Sequence, residues 1–127
     1  MSFEQERAEK IVYFRAQAEQ YNFTREFSRA MEFYVRAGLL GDRDSIQEVC
    51  DKLRSGYGMS YNYDEVFRCM KVGAEAGILD AMLELAVCYG SGIGTEVDHE
   101  QALIWLKKCA EGGSKEAREK LKSYGQQ

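Results

Sequence analysis

The sequence predicts an all-α fold, a right-handed α-solenoid of about three antiparallel helix pairs followed by a C-terminal capping helix. Three observations lead to this prediction. The 127 residues contain no proline, which would interrupt helix interiors. The chain matches itself without a gap when it is shifted by 36 residues. Glycines recur at the positions where one helix would end and the next begin.

The 36-residue repeat aligns charged residues as well as glycines. The pairs that coincide after the shift include Asp44 with Asp80, Glu48 with Glu84, Gly56 with Gly92, Gly58 with Gly94, and Lys71 with Lys107. Because helix pairs of this size cannot bury their apolar faces alone, neighbouring units must stack. We therefore predict one domain spanning residues 1–127, with repeat units at 3–41, 42–77 and 78–113 and a cap helix at 114–124.

Helix boundaries follow from apolar periodicity and from capping residues. Asn62 and Asp98 are favourable N-caps, and each is followed three residues later by Glu or Gln, as in a capping box. Gly90 and Gly92 are expected to end the helix before Asp98. The predicted helices are 3–20, 24–38, 42–54, 62–75, 78–89, 98–111 and 114–124.

The stretch GSGIGT at residues 90–95 raises the question of a phosphate-binding loop. Such a loop follows a strand and usually carries a GKS or GKT ending. Here the glycines recur one repeat earlier as Gly56 and Gly58, between two predicted helices, and no lysine follows. We therefore interpret the stretch as a turn between paired helices.

Together these residues resemble the SEL-one-like repeat (SLR) family, a relative of tetratricopeptide repeats. The match is close over residues 78–117 and looser over 42–77. The residues that carry it are Ala81, Leu85, Ala86, Tyr89, Gly92, Gly94, Asp98, Ala102, Trp105, Leu106 and the run from Ala110 to Gly113. The resemblance implies a superhelical scaffold for protein–protein contact, often an adaptor, with no catalytic residues.

Composition narrows the class of protein. The net charge of −4 argues against nucleic-acid binding. No apolar run is long enough to cross a membrane, and the charged N-terminal residues are unlike a signal peptide, so we expect a cytoplasmic protein. The cysteines lie far apart without a CxxC pair, at positions 50, 69, 88 and 109. Buried free thiols are the favoured interpretation, with disulfides in an exported protein as the alternative.

No pattern for catalysis, metal binding or cofactor binding stands out. His99 is the only histidine and lacks a set of ligands at zinc-site spacing. A cysteine-dependent hydrolase would need Cys88 or Cys109 beside His99, yet both fall at apolar core positions of the repeat. We therefore expect no enzyme activity and no cofactor, with the hydrolase kept as an alternative.

A partner would lie on the concave surface, which the first helix of each pair lines in tetratricopeptide-like arrays. The residues predicted to face it are Ile11, Arg15, Gln47, Asp51, Arg54, Leu83 and Val87. Leu83 and Val87 have an alternative role, which is contact with the cap helix. The inter-helix loop at residues 56–65 adds Tyr57 and Tyr63, whose rings could anchor a partner or pack on the adjacent turn.

The leading hypothesis for function is a module that binds a peptide or another protein. A narrower version is a dedicated inhibitor or immunity protein for one effector. We expect a monomer, with self-association through the open ends of the solenoid as an alternative.

Overall fold

The computed structural model of the chain describes residues 2–56 and 60–125. Within those residues the secondary structure is helical, without strands, which confirms the predicted all-α solenoid. The helices are α1 (Phe3–Phe23), α2 (Phe27–Leu39), α3 (Arg43–Ser55), α4 (Tyr63–Glu75), α5 (Leu79–Ser91), α6 (His99–Glu111) and α7 (Lys115–Gly125).

Short polar side chains fix where several helices begin. The backbone N–H of Glu65 donates to the Asn62 side chain at 3.0 Å, and that of Gln101 donates to Asp98 at 3.1 Å. Both predicted N-caps are thereby confirmed. Asp42 caps α3 in the same way, and each such bond satisfies a backbone donor that the helix itself leaves unpaired.

The helices form two layers. The first helices of the pairs, α1, α3, α5 and α7, make one layer, and α2, α4 and α6 make the other. Buried apolar side chains between the layers form a main core that runs from Ala18 to Leu85, and a smaller cluster joins α5, α6 and α7. None of the helices in the described ranges has the length and apolar character that crossing a bilayer requires.

Two predicted helix boundaries are wrong by three residues. α1 continues to Phe23 and α2 starts only at Phe27. The turn between them is made by Arg25, which adopts a left-handed φ of 64° without being glycine, and by the Thr24 hydroxyl, which donates to the carbonyl of Tyr21. No glycine marks this turn, so local patterns did not predict it.

The end of α5 also differs from the prediction. Gly90 does not stop the helix, which continues to Ser91 and ends at Gly92 in the left-handed conformation. The N–H of Gly92 donates to the carbonyl of Cys88 at 2.8 Å. The GSGIGT stretch thus closes one helix and leads into the next, which confirms its interpretation as a turn.

Gly94 in this turn lies directly against the preceding repeat. A Cβ at Gly94 would overlap the carbonyl oxygen of Tyr63 and approach the Cβ of Phe67 to 2.7 Å. Its φ of 71° is also unfavourable for other residues. Glycine is therefore needed here for both backbone conformation and close contact with α4.

We predict that Gly94→Ala destabilises the protein by at least about 2 kcal/mol, because a strained backbone and a steric overlap add together. Gly56→Ala is the matched control. Gly56 has a similar φ of 64°, but none of the described residues has an atom within 4 Å of its would-be Cβ, so its cost is about 1 kcal/mol from backbone strain alone. Urea unfolding midpoints of both variants measure the difference. Equal losses for the two would contradict the close contact.

Candidate functional site

The candidate site is the face of the first-helix layer, which we call the first-helix face. It is formed by exposed side chains of α1, α3, α5 and α7. The 36-residue interval places an acidic residue at the same point of three successive first helices, namely Asp44, Asp80 and Glu116. Like charges in adjacent positions repel, so this face needs cations between them.

Arg15 on α1 supplies one of these cations. Its Nε lies 3.8 Å from the Asp42 carboxylate, and its Nη1 lies 3.7 Å from that of Asp44. The Asp42 side chain also caps α3, so the ion pair ties α1 to the start of the next first helix. The structure therefore places Arg15 on the predicted surface, but as part of a polar network and not as a free side chain.

Arg54 lies at the centre of the face and joins three helices. Its Nη2 is 3.0 Å from Asp80 and 3.7 Å from Glu116, and its Nε is 3.6 Å from Glu84. Gln47 strengthens the same junction by donating to Asp80 at 2.6 Å and to Asp51 at 3.1 Å. We call this set the carboxylate ladder; its members are Arg15, Asp44, Gln47, Asp51, Arg54, Asp80, Glu84 and Glu116.

Carboxylates outnumber guanidinium groups around Arg54 in the ladder. Burial raises the pKa of Glu84, and the nearby carboxylates of Glu116 and Asp80 raise it further, although Arg54 opposes both effects. Burial lowers the pKa of Arg54, but the surrounding carboxylates outweigh it and raise that pKa overall. One guanidinium is thus shared among more carboxylates than it can neutralise.

Leu83 requires a correction. It was predicted to face a partner, but only 3% of it is exposed, and it packs with Ala86, Leu106, Cys109 and Ala117. Ala117 belongs to α7, so the alternative role, contact with the cap helix, is the one that the packing supports. The cause is that Ala117 and Leu121 of α7 pack against the apolar cluster that contains Leu83. Val87, one turn later, is 36% exposed and remains on the surface.

The remaining predicted residues are dispersed. Ile11 is half-buried on α1. Tyr63 is 59% exposed at the start of α4, outside the first-helix layer, and packs edge-on against Tyr61 with ring centroids 5.0 Å apart. Its main chain contacts the turn at Gly94, which agrees with the alternative of packing on an adjacent turn. Tyr57 lies outside the described residues.

The cysteines are buried free thiols, as the sequence analysis favoured. Burial raises the pKa of Cys69 to about 12 and that of Cys88 to about 11, and it raises those of Cys50 and Cys109 as well. A thiol with a raised pKa is almost wholly protonated at neutral pH and is a poor nucleophile. These values argue against the cysteine-dependent hydrolase.

His99 is exposed at the start of α6, away from a metal-ligand set. Within residues 2–56 and 60–125, no group of three or more His, Cys, Asp or Glu side chains is arranged to hold a metal ion. The acidic side chains of the ladder are instead engaged with Arg15, Gln47 and Arg54.

Most acidic residues of the ladder were not predicted as site residues. These are Asp44, Asp80, Glu84 and Glu116, although the first three belong to pairs that coincide in the 36-residue repeat. The signal was present in the sequence, because Asp44, Asp80 and Glu116 form a series at the 36-residue interval. Their significance depends on α3, α5 and α7 being neighbours, which is a tertiary fact.

Two segments of the chain, residues 23–42 and 79–114, match the family model described as Sel1 repeat. These two segments of the chain are similar to Sel1 repeats. This confirms the resemblance to the SLR family that the sequence motifs indicated. Sel1 repeat proteins are generally protein–protein interaction modules.

Solved structures of Sel1 repeat proteins share this fold. A Sel1 repeat protein from Oxalobacter formigenes is 26% identical, with a TM-score of 0.61 over 77% of this chain and 28% of that one. A protective antigen of uropathogenic Escherichia coli with an SLR fold is 21% identical, with a TM-score of 0.66 over 91% of this chain and 25% of that one. The chain thus spans about a quarter of the length of these two relatives.

Cysteine rich protein B of Helicobacter pylori is similar in length to this chain. It is 14% identical, with a TM-score of 0.56, and the match covers 91% of this chain and 95% of that one. At this identity the likeness concerns the fold alone, as it does for the Escherichia coli antigen. The helical fold is therefore what these proteins share with this chain.

We predict that Arg54→Met lowers the free energy of unfolding by about 1–2 kcal/mol at pH 7, since it leaves Asp80, Glu84 and Glu116 without their cation. Arg54 is 40% exposed, so solvent screening limits the loss. Arg36→Met is the matched control, because Arg36 contacts Glu32 and the Phe33 ring on the exposed surface of α2, and it should cost less than about 1 kcal/mol.

The loss of unfolding free energy caused by Arg54→Met should depend on pH. Without the guanidinium, the folded-state pKa of Glu84 rises further, so its ionised form opposes folding above its unfolded pKa. The deficit is then largest near neutral pH and shrinks as the carboxylates protonate toward about pH 4. Urea unfolding of the variant and the native chain across this range is the measurement. A deficit that grows on acidification would contradict the proposed electrostatics.

We predict that a thiol reagent at neutral pH labels the folded protein only as fast as local or global unfolding exposes its cysteines, whereas the urea-unfolded chain reacts at once. Mass spectrometry of the labelled chain gives both rates.

The free energy of unfolding should also fall as pH rises from about 9 toward 11–12, because the thiols of the unfolded chain ionise at a lower pH than those of the folded protein. Cys88→Ala should reduce that slope. One cysteine that reacts in the folded state faster than a free thiol would contradict the buried assignment.

Proposed function

We propose that this chain is a protein-binding module that takes a peptide or one face of a partner protein on its first-helix face. It acts as a scaffold and has no chemistry of its own. The observation that carries the proposal is the carboxylate ladder, in which polar side chains of four neighbouring helices are held in fixed positions on an accessible surface.

Preorganisation is the physical reason for this choice. A binding surface whose side chains are already ordered loses less conformational entropy when a partner docks. In arrays of paired helices the first helices line the concave surface, so the same residues would surround a bound segment. Arg15, Gln47, Asp51, Arg54 and Val87 are the predicted contact residues that remain on this face.

Two further observations support a scaffold over an enzyme. The thiols are buried and protonated, so they are poor nucleophiles. The glycines of the GSGIGT stretch serve a turn between helices and a close contact with α4. Both features that first suggested chemistry therefore have structural roles.

Site-specific photo-crosslinking in extract of the native cell tests the proposal. A benzophenone amino acid at position 51, on the exposed surface of α3, should crosslink to a partner protein. The same amino acid at position 68, on the exposed surface of α4, is the matched control and should not. Products from position 68 alone, or identical products from both, would show that the first-helix face is not the binding surface.

A further inference from the structure

A cavity lies beside the carboxylate ladder, where α5 and α6 meet the C-terminal half of α7. Its volume is about 550 Å³, which is within the range of roughly 300–1,000 Å³ found for ligand pockets. Most of its lining is small or apolar, from Ala86, Val87, Gly90, Ala102, Leu106 and Tyr124. The other lining residues are polar, namely Ser91, His99, Lys120 and Ser123. The larger apolar share of the lining suits the cavity to an apolar group.

The cavity exists because the third repeat has lost side-chain volume relative to the second. Ala102 and Gly90 occupy the positions that Val66 and Arg54 hold 36 residues earlier. Val66 is buried in the main core and Arg54 extends across the ladder. Alanine and glycine leave that space open between α5 and α6, so the departure from the repeat pattern accounts for the depression there.

The mouth of the cavity opens on the first-helix face. Val87 and Tyr124 are partly exposed at its edge. Glu84 precedes Val87 by one helical turn on α5, and Glu116 precedes Lys120, at the cavity rim, by one turn on α7. One turn is about 5.4 Å along the helix axis, so the ladder and the cavity lie within reach of one extended peptide.

Charge on this face favours a cationic partner. Among the described residues the acidic side chains around the ladder include Glu19, Asp42, Asp44, Glu48, Asp51, Asp80, Glu84 and Glu116, and the basic ones include Arg15, Arg43, Arg54 and Lys120. The excess of carboxylates is largest around Arg54. An additional cation there would relieve repulsion that Arg54 alone does not neutralise.

We infer that the cavity and the carboxylate ladder form one composite site for an extended segment of a partner protein, which inserts a leucine-sized side chain into the cavity and places flanking lysine or arginine residues along the ladder. The inference rests on the proposed use of the first-helix face and specifies the chemistry of the partner. Lys120 at the rim would meet main-chain carbonyl oxygens of the segment.

The probe is a short fluorescein-labelled peptide, amidated at its C terminus, with a central leucine flanked on both sides by arginine and lysine. Two control peptides replace the leucine by alanine or the basic residues by glutamate. Fluorescence anisotropy gives each Kd. We expect roughly tenfold weaker binding of the alanine peptide, no measurable binding of the glutamate peptide, and a Kd for the leucine peptide that rises with salt.

Variants of the protein test where the peptide binds. Gly90→Leu fills the cavity and should weaken the leucine peptide roughly tenfold while leaving the alanine peptide unchanged. Gly90→Ala is its control, because a Cβ there lies at ordinary contact distances of 3.7 Å from the Tyr124 hydroxyl and 3.9 Å from Ala102. Val87→Gln, at the exposed mouth, tests the same contact if Gly90→Leu fails to fold. Glu116→Gln should weaken both cationic peptides about two- to fivefold, and Glu75→Gln, exposed on α4, should not.

The outcomes separate this inference from the proposed function. Weaker binding on Glu116→Gln with no effect of Gly90→Leu or Val87→Gln would overturn the anchor cavity but leave the first-helix face as the binding surface. Equal binding of leucine and alanine peptides would do the same. No binding of either cationic peptide at millimolar concentration would overturn the inference as a whole. A dimer in sedimentation velocity that Gly90→Leu abolishes would overturn it in favour of a second copy of the chain.

Discussion

The structure depends on the close approach of successive helix pairs through small residues. A Cβ on Gly73 would come within 2.6 Å of both Ile46 and Ala81, and a Cβ on Gly94 would overlap the main chain of α4. Because no larger residue fits at these points, each pair is held against the preceding one at short range. Packing of this kind sets the distance between successive helix pairs. That distance in turn positions the side chains of the first-helix face.

One consequence is electrostatic. A strict 36-residue interval on a stacked array brings equivalent side chains together, so Asp44, Asp80 and Glu116 become neighbours that repel one another. Arg54 bridges two members of this series and Glu84, and Arg15 meets the first member. The same ion pairs that relieve the repulsion also order the accessible face. Stability and the proposed binding surface are therefore coupled through a few guanidinium groups.

A second consequence comes from places where the repeat is imperfect. Ala102 and Gly90 keep the helix geometry of the units before them but remove the side chains that filled the space there, and a cavity results. Cys109 stands where Gly73 stands one unit earlier, and its thiol donates to the carbonyl of Leu79 at 3.3 Å. A constant backbone interval thus allows local changes in volume and polarity without a change of fold.

The sequence alone determined the number and order of the helices, the N-caps at Asn62 and Asp98, and the role of the GSGIGT stretch, because these depend on local periodicity, capping and glycine conformation. The turn at Arg25 was not predicted because no glycine or proline marks that position. Only the tertiary structure decided that Leu83 is buried under α7 while Val87 stays exposed, and that Arg54 meets Asp80, Glu84 and Glu116. Those facts depend on which helices become neighbours and on how far long side chains reach between them, and neither is encoded in a local pattern.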